Sequence, residues 1–232
     1  MAFRDLEIPC PACGAVECRT VAESLDAAEH PELRQQILDD TFQRFACPGC
    51  GVRVAVDGPL LVLDLDRHHW IELFPGPWQP RWRALERASF RRFRSNLVEH
   101  APPMLQERAG AFVVRTVFGL PALREKLVAF DAGIDDRALE TVKLGVLRSR
   151  PELASYPRLQ IRLRAVKGAS LRCSVHDGRS ALGELHVPSE QLDAAASDGW
   201  LATRNLFLGG YVDIARLLDR PAPDAARLRS VA

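Results

Sequence analysis

Four of the six cysteines fall in two copies of one short pattern. The copies read Cys10-Pro11-Ala12-Cys13-Gly14 and Cys47-Pro48-Gly49-Cys50-Gly51. The two-residue spacer lets both thiols of a pair face one side of a tight turn, and the glycine accepts the positive φ that closes the turn. Two such pairs supply the four thiolates that Zn²⁺ takes in closed structural sites. The sequence therefore predicts one structural zinc ion bound by Cys10, Cys13, Cys47 and Cys50.

Iron is the alternative metal, because paired turns of this kind also resemble those of rubredoxin, in which four cysteines hold a single iron. Zinc is favoured because the segment lacks the aromatic-rich small core of a rubredoxin. A redox pair is disfavoured, since it needs one such motif at the start of a helix. Cys18 and Cys173 have no partner motif, and we interpret both as small buried apolar residues.

A second candidate site is a basic stripe between Pro80 and about Glu99, where the spacing of apolar residues predicts an amphipathic helix. The stripe within residues 81–94 contains Arg83, Arg87, Arg91 and Arg94. We interpret it as the solvated face of that helix. The alternative is nucleic-acid binding, in which the arginines contact phosphates and Trp78 and Trp82 stack on bases.

A third candidate is a pair of acids in a hairpin that the sequence predicts over residues 60–74. Asp64 and Asp66 lie two apart on a strand, so both side chains leave the same face and could share a divalent cation. His68, His69 and Glu72 lie close enough in sequence to join a metal-dependent catalytic site. Acids that flank a hairpin turn are also commonly just hydrated, and we favour that interpretation.

The elements that position these residues fall into an α+β pattern. We expect a zinc-ribbon or rubredoxin-like antiparallel sheet with one inserted helix, followed by helices and a C-terminal antiparallel meander. The predicted elements of the first part are a strand at 15–22, a helix at 30–42, a strand at 52–56, a hairpin turn at Asp57-Gly58, and a second hairpin of strands 60–66 and 69–74.

The rest of the chain is predicted to hold helices and short strands. The expected elements are a helix at 80–99, a strand at 112–118, helices at 121–130 and 135–148, strands at 159–166, 170–176 and 181–187, and helices at 189–197 and 210–220. We expect a domain over 1–150, a second unit of antiparallel strands and two short helices over 151–220, and a loose tail over 221–232.

Composition narrows the function classes. The chain has 232 residues, 47% hydrophobic and 26% charged residues, and a net charge of +1, so no overall field attracts it to nucleic acid or to an anionic membrane. The apolar runs are far shorter than the roughly 20 residues of a membrane span, and the N-terminus lacks the features of a secretory signal. We expect a cytoplasmic protein. Phosphate-binding, dinucleotide-binding, zincin and nucleophile-elbow motifs are absent from the sequence.

The two cysteine motifs, with the residues that follow them, resemble those of the CpXC family of bacterial proteins. The similarity covers most of residues 1–150. Beyond the cysteines it includes the helix start at 30–34, the segment Pro59-Leu60-Leu61, and a stretch from Val117 to Lys143. Within that stretch we interpret Glu125, Lys126, Asp131, Asp135, Asp136, Glu140 and Lys143 as helix caps and i,i+3 or i,i+4 pairs, Glu140 with Lys143 among them, with a polar groove or partner surface as the alternative.

These observations favour a non-catalytic protein over an enzyme. Four protein thiolates leave no open coordination position for water or a substrate. We expect a zinc-binding adaptor or binding module that contacts a protein partner or a second copy of itself. Nucleic-acid binding through the basic stripe is the alternative, and a metal-dependent enzyme that uses Asp64 and Asp66 is the third hypothesis.

Overall fold

The computed structural model describes residues 1–178, 180–197 and 206–218, and it contains ten strands and six longer helices in those ranges. The strands are β1 (Ala2–Pro9), β2 (Val16–Asp26), β3 (Arg44–Ala46), β4 (Arg53–Ala55), β5 (Leu60–Asp64), β6 (His69–Phe74), β7 (Val113–Phe118), β8 (Leu159–Lys167), β9 (Ser170–Asp177) and β10 (Ser180–Pro188). The helices are α1 (Pro31–Leu38), α2 (Trp82–Phe93), α3 (Pro103–Arg108), α4 (Leu120–Asp131), α5 (Asp136–Ser149) and α6 (Glu190–Ser197).

Short helical pieces join some of these elements. A π-helical turn, Arg94–Glu99, continues α2, and the 3₁₀ turns are Gly76–Arg81, Ala109–Ala111 and Pro151–Ser155. The last described helical turn is Ala215–Leu218. None of the helices in the described ranges has the length and apolar character that crossing a bilayer requires.

The main sheet has five strands in the order β1-β2-β5-β6-β7. The β1/β2 and β5/β6 pairs are antiparallel, whereas β2/β5 and β6/β7 are parallel. Both parallel pairs are joined by long crossovers that contain helices, which is the connection that a parallel pair requires. The α+β class is confirmed, and the sheet is mixed where an antiparallel one was expected.

The hairpin predicted at Asp57-Gly58 does not form. β4 pairs with β3, while β5 pairs with β2 and β6. Asp57 instead accepts a hydrogen bond of 3.0 Å from the Gly76 backbone N–H, which ties the loop after β4 to the end of β6. The second predicted hairpin, turning at residues 65–68, is confirmed.

The inserted helix is confirmed but is shorter than the predicted range. α1 ends at Leu38 because Asp40 and Gln43 take left-handed backbone conformations with φ of 61° and 49°. Ile37 and Phe42 are nevertheless both buried in the apolar cluster under the main sheet, which also contains residues of α4. The predicted apolar face therefore does reach the core.

The C-terminal meander is confirmed as a three-stranded antiparallel sheet in the order β10-β9-β8. Its inner face packs on α5 and on the segment 206–218 in a second apolar cluster, which includes Leu163, Leu171 and Phe207. The helix predicted over 210–220 is limited to Ala215–Leu218 in the described part, where residues 211–213 are not helical. Residues 219–220 and the predicted tail, 221–232, lie outside the described residues.

Eight buried charged residues form a continuous chain of ion pairs between these two clusters. The signs alternate along it in the order Arg115, Asp136, Lys126, Glu140, Lys143, Glu125, Arg162 and Asp213. All eight are less than 8% exposed. The predicted i,i+3 pair of Glu140 and Lys143 does form, at 2.8 Å, but it is buried and belongs to this longer chain, which the sequence did not predict.

Backbone groups also hydrogen-bond to several members of this charge chain. Lys126 Nζ donates to the Val212 carbonyl at 2.6 Å, and Glu140 Oε2 accepts from the Ile214 N–H at 2.9 Å. Glu125 Oε1 accepts the N–H of Leu163 on the edge strand β8. Burial alone would raise the pKa of Asp213, but Arg162 and Lys143 lower it to about 2, so this carboxylate is ionised at neutral pH.

The charge chain crosses residue 150, where a domain boundary was expected. It joins α4 and α5 to β8 and to Asp213. The division into a first domain and a second unit stays a prediction. The cap predicted at the start of α5 is present, because Asp135 Oδ1 accepts the N–H of Arg137 at 2.7 Å.

We expect Glu125→Gln to lower the free energy of unfolding by about 3–5 kcal/mol, because it leaves the Lys143 and Arg162 charges buried with less compensation. Urea denaturation measures this change. The matched control is Glu99→Gln in the exposed Arg94–Glu99 pair, which should change stability by less than about 1 kcal/mol. Equal effects of the two substitutions would contradict a stabilising role for the buried charge chain.

Candidate metal centre

The two cysteine motifs form turns with the same backbone hydrogen bonds. Cys10 N–H donates to the Ala15 carbonyl and Gly14 N–H to the Cys10 carbonyl, at 2.8 and 2.9 Å. The corresponding bonds from Cys47 to Val52 and from Gly51 to Cys47 are 2.9 and 2.8 Å long. Gly14 and Gly51 have φ of 74° and 73°, which only glycine adopts without strain. The local sequence therefore folds each motif into the same metal-binding turn.

Each turn closes an antiparallel hairpin, and the two hairpins bring their turns together. The first motif connects β1 to β2, and the second connects β3 to β4. Half-buried side chains lie between the hairpins around a small gap of about 20 Å³, among them Ile8, Phe45 and Val54. The Arg19 guanidinium lies 5.2 Å from the centre of the Phe45 ring.

The four thiols have the geometry of a tetrahedral metal site. Cys10 Sγ lies 3.6 Å from Cys50 Sγ, and Cys13 Sγ lies 3.6 Å from Cys47 Sγ. All four Sγ atoms lie within 4.8 Å of one another. A tetrahedral ion with metal–sulfur bonds of about 2.3 Å places its sulfurs about 3.8 Å apart. The residues therefore fit zinc, and they fit a four-thiolate iron site equally well.

Full ionisation of the four thiols requires a cation. The backbone N–H groups of Ala12 and Cys13 lower the pKa of the Cys10 thiol to about 6. The Val52 N–H lowers the pKa of Cys50, but the neighbouring Cys13 thiol, with burial, outweighs it and raises the value to about 12. Four thiols this close cannot all ionise at neutral pH unless a positive ion compensates them, and a coordinated metal ion does so directly.

The apolar clusters found among the described residues do not reach the cysteine turns. Residues of β1, β3 and β4 are exposed or half-buried, and Cys10 and Cys47 are the buried side chains of the two turns. The first hairpin contributes Ala22 and Leu25 to a cluster, both from the second half of β2, and the second hairpin contributes no residue. The cysteine ends of the two hairpins therefore contact each other outside the apolar clusters.

Other cysteines and acids do not join the site. The four cysteines are the only group of three or more close metal-ligating side chains in the described ranges. Cys173 is buried in the apolar cluster as expected, and burial raises the pKa of its thiol to about 11. Cys18 is exposed on β2, which corrects its interpretation as a buried residue, because alternate side chains of this outer strand face solvent.

The structure does not bring Asp64 and Asp66 together as a cation site. Asp64 is buried and accepts hydrogen bonds of 2.9 Å from both the backbone N–H and the guanidinium of Arg67, so it closes the β5–β6 turn. Asp66 is exposed in that turn. Glu72 is held by Arg92 and by the Trp70 indole N–H at 3.1 Å. The acids of the enzyme hypothesis therefore have structural contacts.

The basic stripe lies on the exposed side of α2 and the π-helical turn, as its spacing predicts. Arg83, Arg87, Arg91 and Arg94 are exposed, and Arg94 pairs with Glu99 at 3.3 Å. Trp82 is buried against Tyr211 with Arg83 over its ring, so it is not available to stack on a base. Trp78 is 37% exposed.

The comparison with protein families decides the identity of the first part of the chain. Residues 8–143 match the family described as CpXC protein. The chain belongs to the CpXC family. The match contains all four site cysteines and extends to Lys143, the last family-region residue of the buried charge chain. No curated protein and no solved structure matches this CpXC protein significantly.

Cys47→Ser should abolish metal binding and increase local opening of the two hairpins near their cysteine turns, because no apolar cluster contains residues from those ends. We expect amide hydrogen exchange in residues 8–19 and 44–55 to accelerate by about 100-fold or more, with little change in α4 and α5. Hydrogen exchange with mass spectrometry and metal analysis measure both effects.

Cys18→Ser is the matched control, since Cys18 is an exposed cysteine of the same hairpin outside the cluster. It should keep its metal and its exchange rates. A metal-free Cys47→Ser protein with unchanged exchange in both hairpins would contradict a structural role of the site.

Proposed function

We propose that this CpXC protein binds one zinc ion through Cys10, Cys13, Cys47 and Cys50, and that the ion has a structural role. The observation that carries the proposal is the approach of four thiols to within 4.8 Å on two hairpins that share no apolar cluster. Zinc supplies charge compensation and a fixed tetrahedral geometry to these thiolates. Iron is the alternative metal, since the same ligand set suits it.

We further propose that the protein is a non-catalytic binding or adaptor module of the bacterial cytoplasm. Four thiolates complete the coordination of a tetrahedral ion, so no position is left for a reacting group. Of the acids proposed for a second, catalytic ion, Asp64 and Glu72 have other hydrogen-bond partners, and Asp66 is exposed in the turn. The partner is a protein or a second copy of this chain.

Elemental analysis of protein purified without added metal or chelator tests the metal assignment. We expect one zinc per chain and a colourless solution, because Zn²⁺ has no d–d transitions. Iron with visible absorption would replace zinc, and protein that contains neither metal and does not take up zinc would overturn the proposal. Sedimentation of the zinc-loaded protein distinguishes self-association from a requirement for a different partner.

Nucleic-acid binding is the second candidate function. It is supported by Arg83, Arg87 and Arg91, which are exposed on one helix and have no carboxylate partner in the part of the chain that the structure describes. Such arginines contact phosphates without sequence preference. The burial of Trp82 removes one of the two aromatic rings that this hypothesis would use.

Retention on single-stranded and duplex DNA tests this second function. If it is right, retention should fall as salt rises, and the triple substitution of Arg83, Arg87 and Arg91 by Ala should reduce the dependence on salt. The control is Arg108→Ala, an exposed arginine on α3. Unchanged retention of the triple variant would refute the role of the stripe.

A further inference from the structure

Three half-buried arginines lie together without an acidic partner. They are Arg124 on α4, Arg164 on β8 and Arg172 on β9, and we call them the arginine triad. No member forms an ion pair with any residue in the described ranges, whereas all four cations of the buried charge chain do. Unpaired positive charges at partly buried positions are costly, so this cluster differs from ordinary surface arginines.

The fold places the triad at one interface. Arg172 pairs in register with Ala165, the residue after Arg164, where a bulge interrupts β8. α4 packs along β8, so Arg124 faces the same edge. Burial, and then the charge of Arg164, lower the pKa of Arg124, and Arg172 lowers it further, although Asp40 and Asp39 act in the opposite direction. The other two arginines therefore repel the Arg124 guanidinium.

A groove of about 590 Å³ is lined by one member of the triad, Arg164, whereas Arg124 and Arg172 are not among its lining residues. It lies between the β3–β4 hairpin, the first turn of α4 and the outer face of the C-terminal sheet. Arg164, Ser174 and His176 line it from the sheet, Gly119 to Pro121 line it from α4, and Val56 lines it from the hairpin side. This volume is in the range of pockets that hold small organic ligands.

The acids near the groove form no ion pair with the triad in the described ranges. Asp40 pairs with Arg44 at 2.8 Å, although its charge and that of Asp39 also raise the pKa of Arg124. Asp57 accepts the Gly76 N–H, and burial raises the pKa of this carboxyl. Glu184 is exposed on β10, opposite Ser174. Arg162, which also lines the groove, is already neutralised by Glu125 and Asp213.

Several polar atoms around the groove have hydrogen-bonding capacity that no described residue uses. Ser174 Oγ and Arg162 Nε are buried without a hydrogen-bond partner, and both residues line the groove. Arg124 Nε and Arg172 Nε are also buried and unpartnered. The Nε–H is one prong of the guanidinium fork that binds two oxygens of a phosphate or carboxylate.

We propose that this groove binds a small molecule that carries a phosphate group, with Arg164 contacting the phosphate and Arg124 and Arg172 supplying its positive surroundings. A phosphate dianion supplies the charge that the triad lacks and accepts several hydrogen bonds at once. The rest of the groove volume accommodates the organic part of the ligand. This inference is independent of the role of the zinc site.

Thermal unfolding of the zinc-loaded full-length protein tests the proposal. The probes are inorganic phosphate, adenosine monophosphate and adenosine, each titrated at constant ionic strength set with sodium chloride. We expect a saturable rise of the unfolding temperature with the phosphate-bearing probes and none with adenosine. A stronger effect of the nucleotide than of inorganic phosphate identifies an organic phosphate as the ligand class, and equal effects identify free phosphate.

Arg164→Gln and Arg172→Gln should each weaken the apparent affinity for the effective probe by about tenfold or more. Without phosphate, both variants should be as stable as the parent protein or more stable, because each removes one repelling charge. Arg108→Gln is the matched control and should keep the parent affinity. Absence of a saturable shift, or equal affinity in all three variants, would overturn the proposal.

Discussion

The alternation of charge along one buried chain of side chains is the constraint on which the arrangement of the structure depends. Each ion would cost several kcal/mol to bury alone, and that cost is offset only if each has a neighbour of opposite charge. The chain has four acidic and four basic side chains; each inner member lies between two partners of opposite sign, and the end members, Arg115 and Asp213, have one each. Because its ends are Arg115 on β7 and Asp213 in the C-terminal segment, it fixes those elements relative to α4 and α5.

The charge chain also connects the family region to the residues that follow it. Glu125 and Lys143 lie inside the matched region, but Arg162 and Asp213 lie outside it. Without the C-terminal strands, Glu125 would lose Arg162 and the N–H of Leu163 at a fully buried position. The C-terminal residues thus complete the hydrogen bonding of acids that belong to the family region.

The cysteine hairpins are positioned differently from the elements that the charge chain connects. Their cysteine ends extend beyond the apolar clusters, and the charge chain includes none of their residues. A small gap lined by Ile8, Phe45 and Val54 lies between them. A metal ion bound by the four thiols would fix the two turns through four short bonds without requiring a large buried area.

The sequence allowed prediction of features that are encoded locally. Each cysteine motif contains its own spacer, proline and glycine, so the four cysteines that cluster could be predicted from the sequence. Asp135 could be predicted as a helix cap for the same reason. The mixed order of the sheet depends on which distant strands become neighbours, and no local pattern specifies the parallel pairing of β2 with β5. Asp57-Gly58 has the residues of a hairpin turn, yet tertiary pairing of β4 with β3 overrides that local preference.

The burial of these charged residues was not predicted, for a related reason. The spacing of Glu140 and Lys143 predicts their pair on the helix, but two further members of the charge chain, Arg162 and Asp213, are distant in sequence. The protein contains 31 Lys and Arg residues, of which only three are lysines, and two of these, Lys126 and Lys143, belong to the charge chain. Each of the two lies between two carboxylates, to which an ammonium group with three donors can donate.

The arginines can be divided by what each side chain faces, since their number alone carries little information in so arginine-rich a protein. Arg115 and Arg162 face carboxylates and are accounted for by the fold, and Arg83 and Arg87 face water, where a charge has little cost. Arg124, Arg164 and Arg172 meet neither condition. The three side chains are partly removed from water and lie close to one another, and no ion pair within the described residues compensates for their burial. An anionic ligand in the adjoining groove would compensate for it. The unpaired arginines, and not the exposed ones, therefore mark the binding site that we propose.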